Sequence, residues 1–156
     1  MFDELRDLYQ EVILDHGKSP RNFRRLEDAT CFAHGNNPVC GDTLVIYLTV
    51  DENQCIQDAG FQGQGCAISV ASASMMTEIL KGMKVDDAKA LFSGFHDMCT
   101  RDDFDLSQLS GFDEDAVDRL TMLSGVKEFP IRVKCATLAW HTMQAAVSGE
   151  EEISTE

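Results

Sequence analysis

Positive charge is scarce in this 156-residue chain. Thirteen Lys and Arg face twenty-seven Asp and Glu, giving a formal net charge of −14 and a pI near 4.5. A field of that sign repels phosphate backbones and anionic membrane surfaces and favours approach to a cationic surface, so neither nucleic acid nor a membrane is expected as a partner. The same acidity helps to keep the chain in solution. Long hydrophobic runs are missing as well, and nothing in the sequence is long and apolar enough to span a bilayer. The stretch from Met1 to His16 is interrupted by Asp3, Glu4, Arg6, Asp7, Glu11 and Asp15, which is incompatible with the apolar heart of a secretory signal. A cytoplasmic location is therefore expected. Internal repeats and low-complexity linkers are absent. There is no C-x-x-C pair, so cysteine spacing is a weak metal signal, and no HExxH-like helix, which argues against a zinc hydrolase of that type.

What is present suits one globular domain. Apolar residues make up 44% and charged residues 26% of the chain, and this length is enough for a hydrophobic core. Residues 1–148 are expected to form a single domain, with a polar insertion at about 93–113. Residues 149–156 should be an acidic tail, in which Glu150, Glu151 and Glu152 are solvated and frayed.

Leu5, Leu8, Tyr9, Val12 and Ile13 share one face of an amphipathic helix over Phe2 to Asp15. Gly17, Ser19 and Pro20 end it. A loop containing Gly35, Asn36, Asn37 and Pro38 leads to Cys40-Gly41-Asp42. Leu44, Ile46, Leu48 and Val50 alternate with their neighbours, the period of a strand. Asp51 to Gln54 reads as a hairpin turn into a second strand, Cys55 to Gln62. After Gly63-Gln64-Gly65 a helix runs from Ala67 to Lys81, lined by Ala67, Ser69, Ala71, Ser72, Ala73 and Ser74, which permit close packing. Shorter helices are expected at Val85 to Phe92 and Glu114 to Leu123, with mostly loop from Ser93 to Asp113. Pro130 suits the first turn of a last helix, which Gly149 follows. The order of elements indicates an α+β fold with antiparallel strands.

Six cysteines stand at 31, 40, 55, 66, 99 and 135. In a reducing compartment they are metal ligands, nucleophiles or buried thiols rather than disulfides. Cys40 and Asp42 flank Gly41, whose freedom of backbone lets both side chains turn to one centre. Cys66 stands at the start of one predicted helix and Cys135 in the first turns of another, where the helix dipole favours thiolate. Three thiolates and a carboxylate would suit zinc or iron better than magnesium or calcium. Spacing alone is weak evidence for such a site and favours ordinary buried cysteines.

A resemblance bears on that choice. Leu8-Tyr9, Val12-Ile13-Leu14-Asp15-His16 and Ser19-Pro20-Arg21-Asn22 resemble the opening of the IscU/SufU/NifU-N-terminal family. Asn37-Pro38-Val39-Cys40-Gly41-Asp42, Gly65-Cys66-Ala67-Ile68-Ser69 and Val133-Lys134-Cys135-Ala136 resemble its three ligand motifs, in the same order. The likeness spans the chain outside about Ser93 to Glu128. It implies a small antiparallel sheet with helices packed on one side and a metal site near the surface, with Cys40, Asp42, Cys66 and Cys135 in the ligand positions. Cys40, beside a glycine, is the expected sulfur acceptor and thus the catalytic residue.

Within the family, the scaffold branch carries a histidine immediately before the third ligand cysteine, where this chain has Lys134. An ammonium has no lone pair to give a metal. The extra residues between Cys66 and Cys135 resemble the SufU branch, and the paired prolines of the scaffold's chaperone motif are reduced to Pro130. The resemblance therefore implies a Zn2+ sulfurtransferase acting with a SufS-type cysteine desulfurase and other cluster-assembly proteins. The alternative it leaves is a scaffold for a [2Fe-2S] cluster. Lys134 is either a solvated lysine or a cation offsetting the site's negative charge. Cys31, Cys55 and Cys99 read as structural, His16 and His141 as packing or surface residues, and Met75, Met76 and Trp140 as core.

Overall fold

The computed structural model describes residues 2–101, 103–104, 106, 109 and 111–154, with side chains from residue 9 onward. Helix α1 (Phe2–Lys18) opens the chain. Strands β1 (Cys31–Asn37), β2 (Asp42–Val50) and β3 (Ile56–Gln64) follow, then helices α2 (Ala67–Leu80), α3 (Val85–Thr100) and α4 (Glu114–Thr121), a 3-10 turn (Ser124–Glu128), helix α5 (Pro130–Val147) and strand β4 (Glu152–Ser154). Among the described residues no helix is long and apolar enough to cross a membrane.

The sheet order is β3-β2-β1-β4. Strands β2 and β3 form the expected antiparallel hairpin, β1 extends it into a three-stranded meander, and β4 adds a short parallel edge beside β1. On β2, Leu44, Ile46 and Leu48 turn inward and are buried, as the period of two requires. Helix α5 lies over β1 and β2, α2 over β3, and α1 against the outer side of α2. The helices thus cover one face of the sheet, and α2 is enclosed on nearly all sides from Ser69 to Leu80. Its small residues let those neighbours approach. Trp140 Nε1 donates to Ser72 Oγ (3.2 Å), and Ser72 Oγ donates to the Ala136 carbonyl. The buried Trp140 indole stacks on Phe92 and lies 5.0 Å from Phe95.

Three expectations are corrected. The loop expected at Gly35 to Pro38 belongs largely to β1. Its inward residues are Ala33, Gly35 and Asn37, a pattern without strand-forming side chains, because α5 runs so close that a Cβ on Gly35 would overlap Thr142 Oγ1. The loop expected from Ser93 is helix as far as Thr100. Ala88, Leu91, Phe92, Phe95, Met98 and Cys99 form one buried face, and Gly94 inside it admits Leu109. Cys99 is accordingly a core residue of α3, while Asp102, Asp105, Ser107, Gln108 and Ser110 of that segment lie outside the described residues. Finally, the segment expected to fray, Glu150 to Glu152, is held at its end: the His34 N–H donates to the Glu151 carbonyl at 2.7 Å, and β4 starts at Glu152. In α1, Val12 and Ile13 pack on the core as expected; the side chains of Leu5 and Leu8 lie outside the described residues.

Candidate metal centre

The β1–β2 hairpin presents two of the residues singled out. Asn37 and Asp42 pair across its end. Gly41 takes φ +72° there, a left-handed conformation that a Cβ would penalise. The turn leaves Cys40 exposed at the tip and Asp42 buried at the start of β2. Cys66 caps the N-terminus of α2. Cys135, buried, comes from α5, which Pro130 starts because a first-turn residue needs no N–H partner.

Three of the four predicted site residues converge: Cys40 Sγ, an Asp42 carboxylate oxygen and Cys135 Sγ all lie within 4.8 Å of one another. The two sulfurs are 3.1 Å apart and unlinked. Cys66 is not part of that triangle but adjoins it. Its backbone N–H donates to Asp42 Oδ1 at 2.8 Å, and its thiol is a hydrogen-bond neighbour of the Cys135 thiol. Gly65 makes this approach possible, since a Cβ there would overlap Asp42 Oδ1.

One participant escapes the sequence reading. Asn37, fully buried, donates from Nδ2 to Asp42 Oδ2 (3.0 Å) and to Cys135 Sγ (3.5 Å). Its only sequence signal was its place at the head of the Asn37-Pro38-Val39-Cys40 motif.

Burial raises the proton affinity of the Cys135 thiol, and hydrogen bonding to the Cys40 and Cys66 thiols, the charge of Cys66 and the Asp42 carboxylate add to it. The expectation that the dipole of α5 favours a thiolate at Cys135 is thereby corrected: the residue lies past the first turn, where the dipole's effect has fallen away, and desolvation dominates. A thiol in this position loses its proton when a cation takes its place.

The donor set fits such a cation. Two soft sulfurs and a hard carboxylate oxygen crowd together, and among the described residues no Lys or Arg forms an ion pair with Asp42. Thiolates and a carboxylate at this separation repel one another unless a positive ion lies between them. Zinc and iron both accept these ligands.

The other cysteines and histidines stay apart from this group. Cys31 and Cys55 are half-buried, and burial raises the Cys31 thiol. Burial pushes the Cys99 thiol up to about 12. His16 packs inside, its Nδ1 2.7 Å from Ser74 Oγ, and His141 lies against Phe92 and His96. Lys134 is half-buried on α5, without an ion pair among the described residues. Large apolar side chains are exposed near the site residues in the chain: Val39 and Ile131 are each 56% exposed and Phe129 48%. A groove of about 630 Å³ is lined by Leu14, Ala67, Ile68, Phe129 and Arg132 among others, and so includes the first residues of α2.

Residues 8–99 match the family model described as the NifU-like N-terminal domain. The chain is 40% identical over 149 residues to the zinc-dependent sulfurtransferase SufU of Bacillus subtilis, covering 94% of each protein. It is 38% identical over 140 residues to the iron-sulfur cluster assembly scaffold protein IscU of Thermotoga maritima, covering 90% of this chain and 92% of that one. The crystal structure of a putative iron-sulfur cluster assembly scaffold protein for the SUF system from Fervidobacterium islandicum superposes with a TM-score of 0.74 at 32% identity, over 88% of this chain and 94% of the other.

Proposed function

The chain belongs to the family of NifU-like N-terminal domains, and from that premise we propose that it is a zinc-dependent sulfurtransferase of iron-sulfur cluster assembly, accepting persulfide sulfur from a SufS-type cysteine desulfurase. The observation that carries this reading is the meeting of Cys40, Asp42 and Cys135 within 4.8 Å, with Cys66 joined to them through Asp42. Cys40, Asp42, Cys66 and Cys135 would hold the metal. Zinc, when bound, lowers thiol proton affinity and is redox-inert, so the cysteines stay as unoxidised thiolates.

Cys40 is the acceptor because it combines exposure with a place on a glycine-containing turn. The Cys40 thiolate attacks the terminal sulfur of the donor's persulfide. A new S–S bond forms to Cys40, the donor's own S–S bond breaks, and the electron pair leaves on the donor cysteine, which takes up a proton. The sulfur moves without net oxidation or reduction. Cys135, buried and held on a helix, is poorly placed for that attack. The exposed Val39, Phe129 and Ile131 give a docking partner an apolar contact around Cys40, and the net charge of −14 suits a partner with a basic rim.

A second reading, a scaffold that assembles and passes on a [2Fe-2S] cluster, is favoured by the likeness to the Thermotoga protein. Against it stands Lys134, which supplies no lone pair where a scaffold has its histidine. Metal analysis of protein purified without added metal separates the two: colourless with zinc, or brown with iron and sulfide. Cys40→Ser, assayed for stimulation of the desulfurase, tests the acceptor. Undiminished turnover would overturn that role.

A further inference from the structure

Among the described residues no N–H donates to the exposed sulfur of Cys40, whereas Cys135 Sγ accepts one from Asn37. The same Asn37 amide donates to Asp42 Oδ2, and Cys66 N–H donates to Asp42 Oδ1, so both carboxylate oxygens are fixed. Asn37 Oδ1 is buried, with no hydrogen-bond partner among the described residues. Turning the amide over would set that oxygen against a carboxylate and a sulfur, all three being acceptors. The orientation is therefore dictated by the two acceptors, Asp42 Oδ2 and Cys135 Sγ.

We infer that Asn37 is the positioning residue that sets which thiol reacts: it holds Asp42 and Cys135 in place and damps Cys135, leaving Cys40 as the nucleophile. An N–H bonded to a thiolate sulfur engages one of its lone pairs, so that sulfur attacks electrophilic sulfur more slowly than it would without the bond. Partners one step removed from a metal act on its ligands in this way. The inference rests on the proposal that these residues share a metal, and it would take this residue's N–H groups, rather than burial alone, to be the source of selectivity.

The test uses Asn37→Leu, which keeps the branched shape and removes both N–H groups, with Asn37→Ala as a second variant should the first not fold. Zinc-loaded proteins are alkylated with iodoacetamide for graded times and the cysteines mapped by mass spectrometry. The wild type is expected to label at Cys40 well before Cys135, and either variant to narrow that ratio severalfold. Zinc retention against a chelator should fall by roughly tenfold or more. The cobalt-substituted variant should show a shifted sulfur-to-metal charge-transfer band, which a loss of packing alone would not move. Wild-type labelling order, zinc retention and cobalt spectrum in a folded variant would overturn the inference, as would equal labelling of Cys40 and Cys135 in the wild type. Failure of the wild type to bind zinc or cobalt would instead defeat the metal-site proposal beneath it.

Discussion

Cys40 Sγ and Cys135 Sγ lie 3.1 Å apart although 95 positions separate them in the chain. Contact at that distance between two unlinked thiols makes them the pair that an oxidant joins first when no metal intervenes. In metal-stripped protein treated with diamide, a Cys40–Cys135 disulfide is expected ahead of any link involving Cys31, Cys55 or Cys99. The oxidised protein should take up no zinc until reduced, because two of the donors are consumed. Peptide mapping of the oxidised chain checks this. A dominant link elsewhere would count against the site geometry.

Gly65 lies so close to Asp42 that a Cβ would overlap Oδ1, with Cγ and Cβ of the same side chain next in line. Gly65→Ala must push the carboxylate away from the sulfurs or shift the Cys66 N–H from it. Overpacking of this kind costs about 1–3 kcal/mol when the surroundings are rigid. The exposed backbone at Gly65 can give way, so thermal stability should fall little while zinc affinity falls roughly tenfold or more. Competition with a chelator, together with a melting curve, separates the two effects.

Much of this arrangement can be read from residue order, and the exceptions have definite causes. The alternation Leu44, Ile46, Leu48 marks β2 because only one face of the sheet is covered. Cys40, Asp42 and Cys135 stand out by type and by motif. Strand β1 is invisible because its inward positions, Ala33, Gly35 and Asn37, are chosen by the nearness of α5 and not by strand propensity. Asn37 goes unnoticed for the same reason: its task depends on Cys135, which reaches it only through the tertiary fold. The far half of α3 is missed although Phe95, Met98 and Cys99 have helical spacing, because Ser93-Gly94 looks like a stop until the burial of that face is seen.

The close packing at β1 makes its own prediction. In Gly35→Ala the added methyl meets Thr142 Oγ1 and the Leu138 side chain, both on the buried face of α5. Because β1 and α5 are each held by further partners, the expected loss is about 1–3 kcal/mol, read by chemical denaturation. Ser148→Ala, at the exposed end of the same helix, should change stability much less.

Acid should weaken the fold through His16 and His141. Burial lowers the proton affinity of both imidazoles, and Arg21 adds to the effect at His16 and His96 at His141. Glu78 and Asp15 oppose it at His16 without reversing it. Each ring is thus harder to protonate in the folded chain than at its ordinary value of 6.5. Their stabilising share is complete above that value and is lost as pH falls below it, since the unfolded chain then binds protons that the folded one resists. His16→Gln should flatten the fall in unfolding free energy between pH 7 and pH 5. An unchanged slope in the metal-free protein would remove His16 from the account.

Lys134 precedes Cys135 on α5 and forms no ion pair among the described residues. Three thiolates and one carboxylate around a divalent ion would carry a net charge of about −2, inside a protein whose own charge is −14. A cation near that centre opposes the repulsion, and its half-buried position reduces screening by salt. Lys134→Glu should therefore weaken zinc retention, with Lys134→Gln intermediate because it removes a charge without adding the opposite one. The differences should shrink as ionic strength rises, which a lost packing contact would not do. Equal zinc affinity for all three proteins at low salt would leave Lys134 as a solvated surface residue.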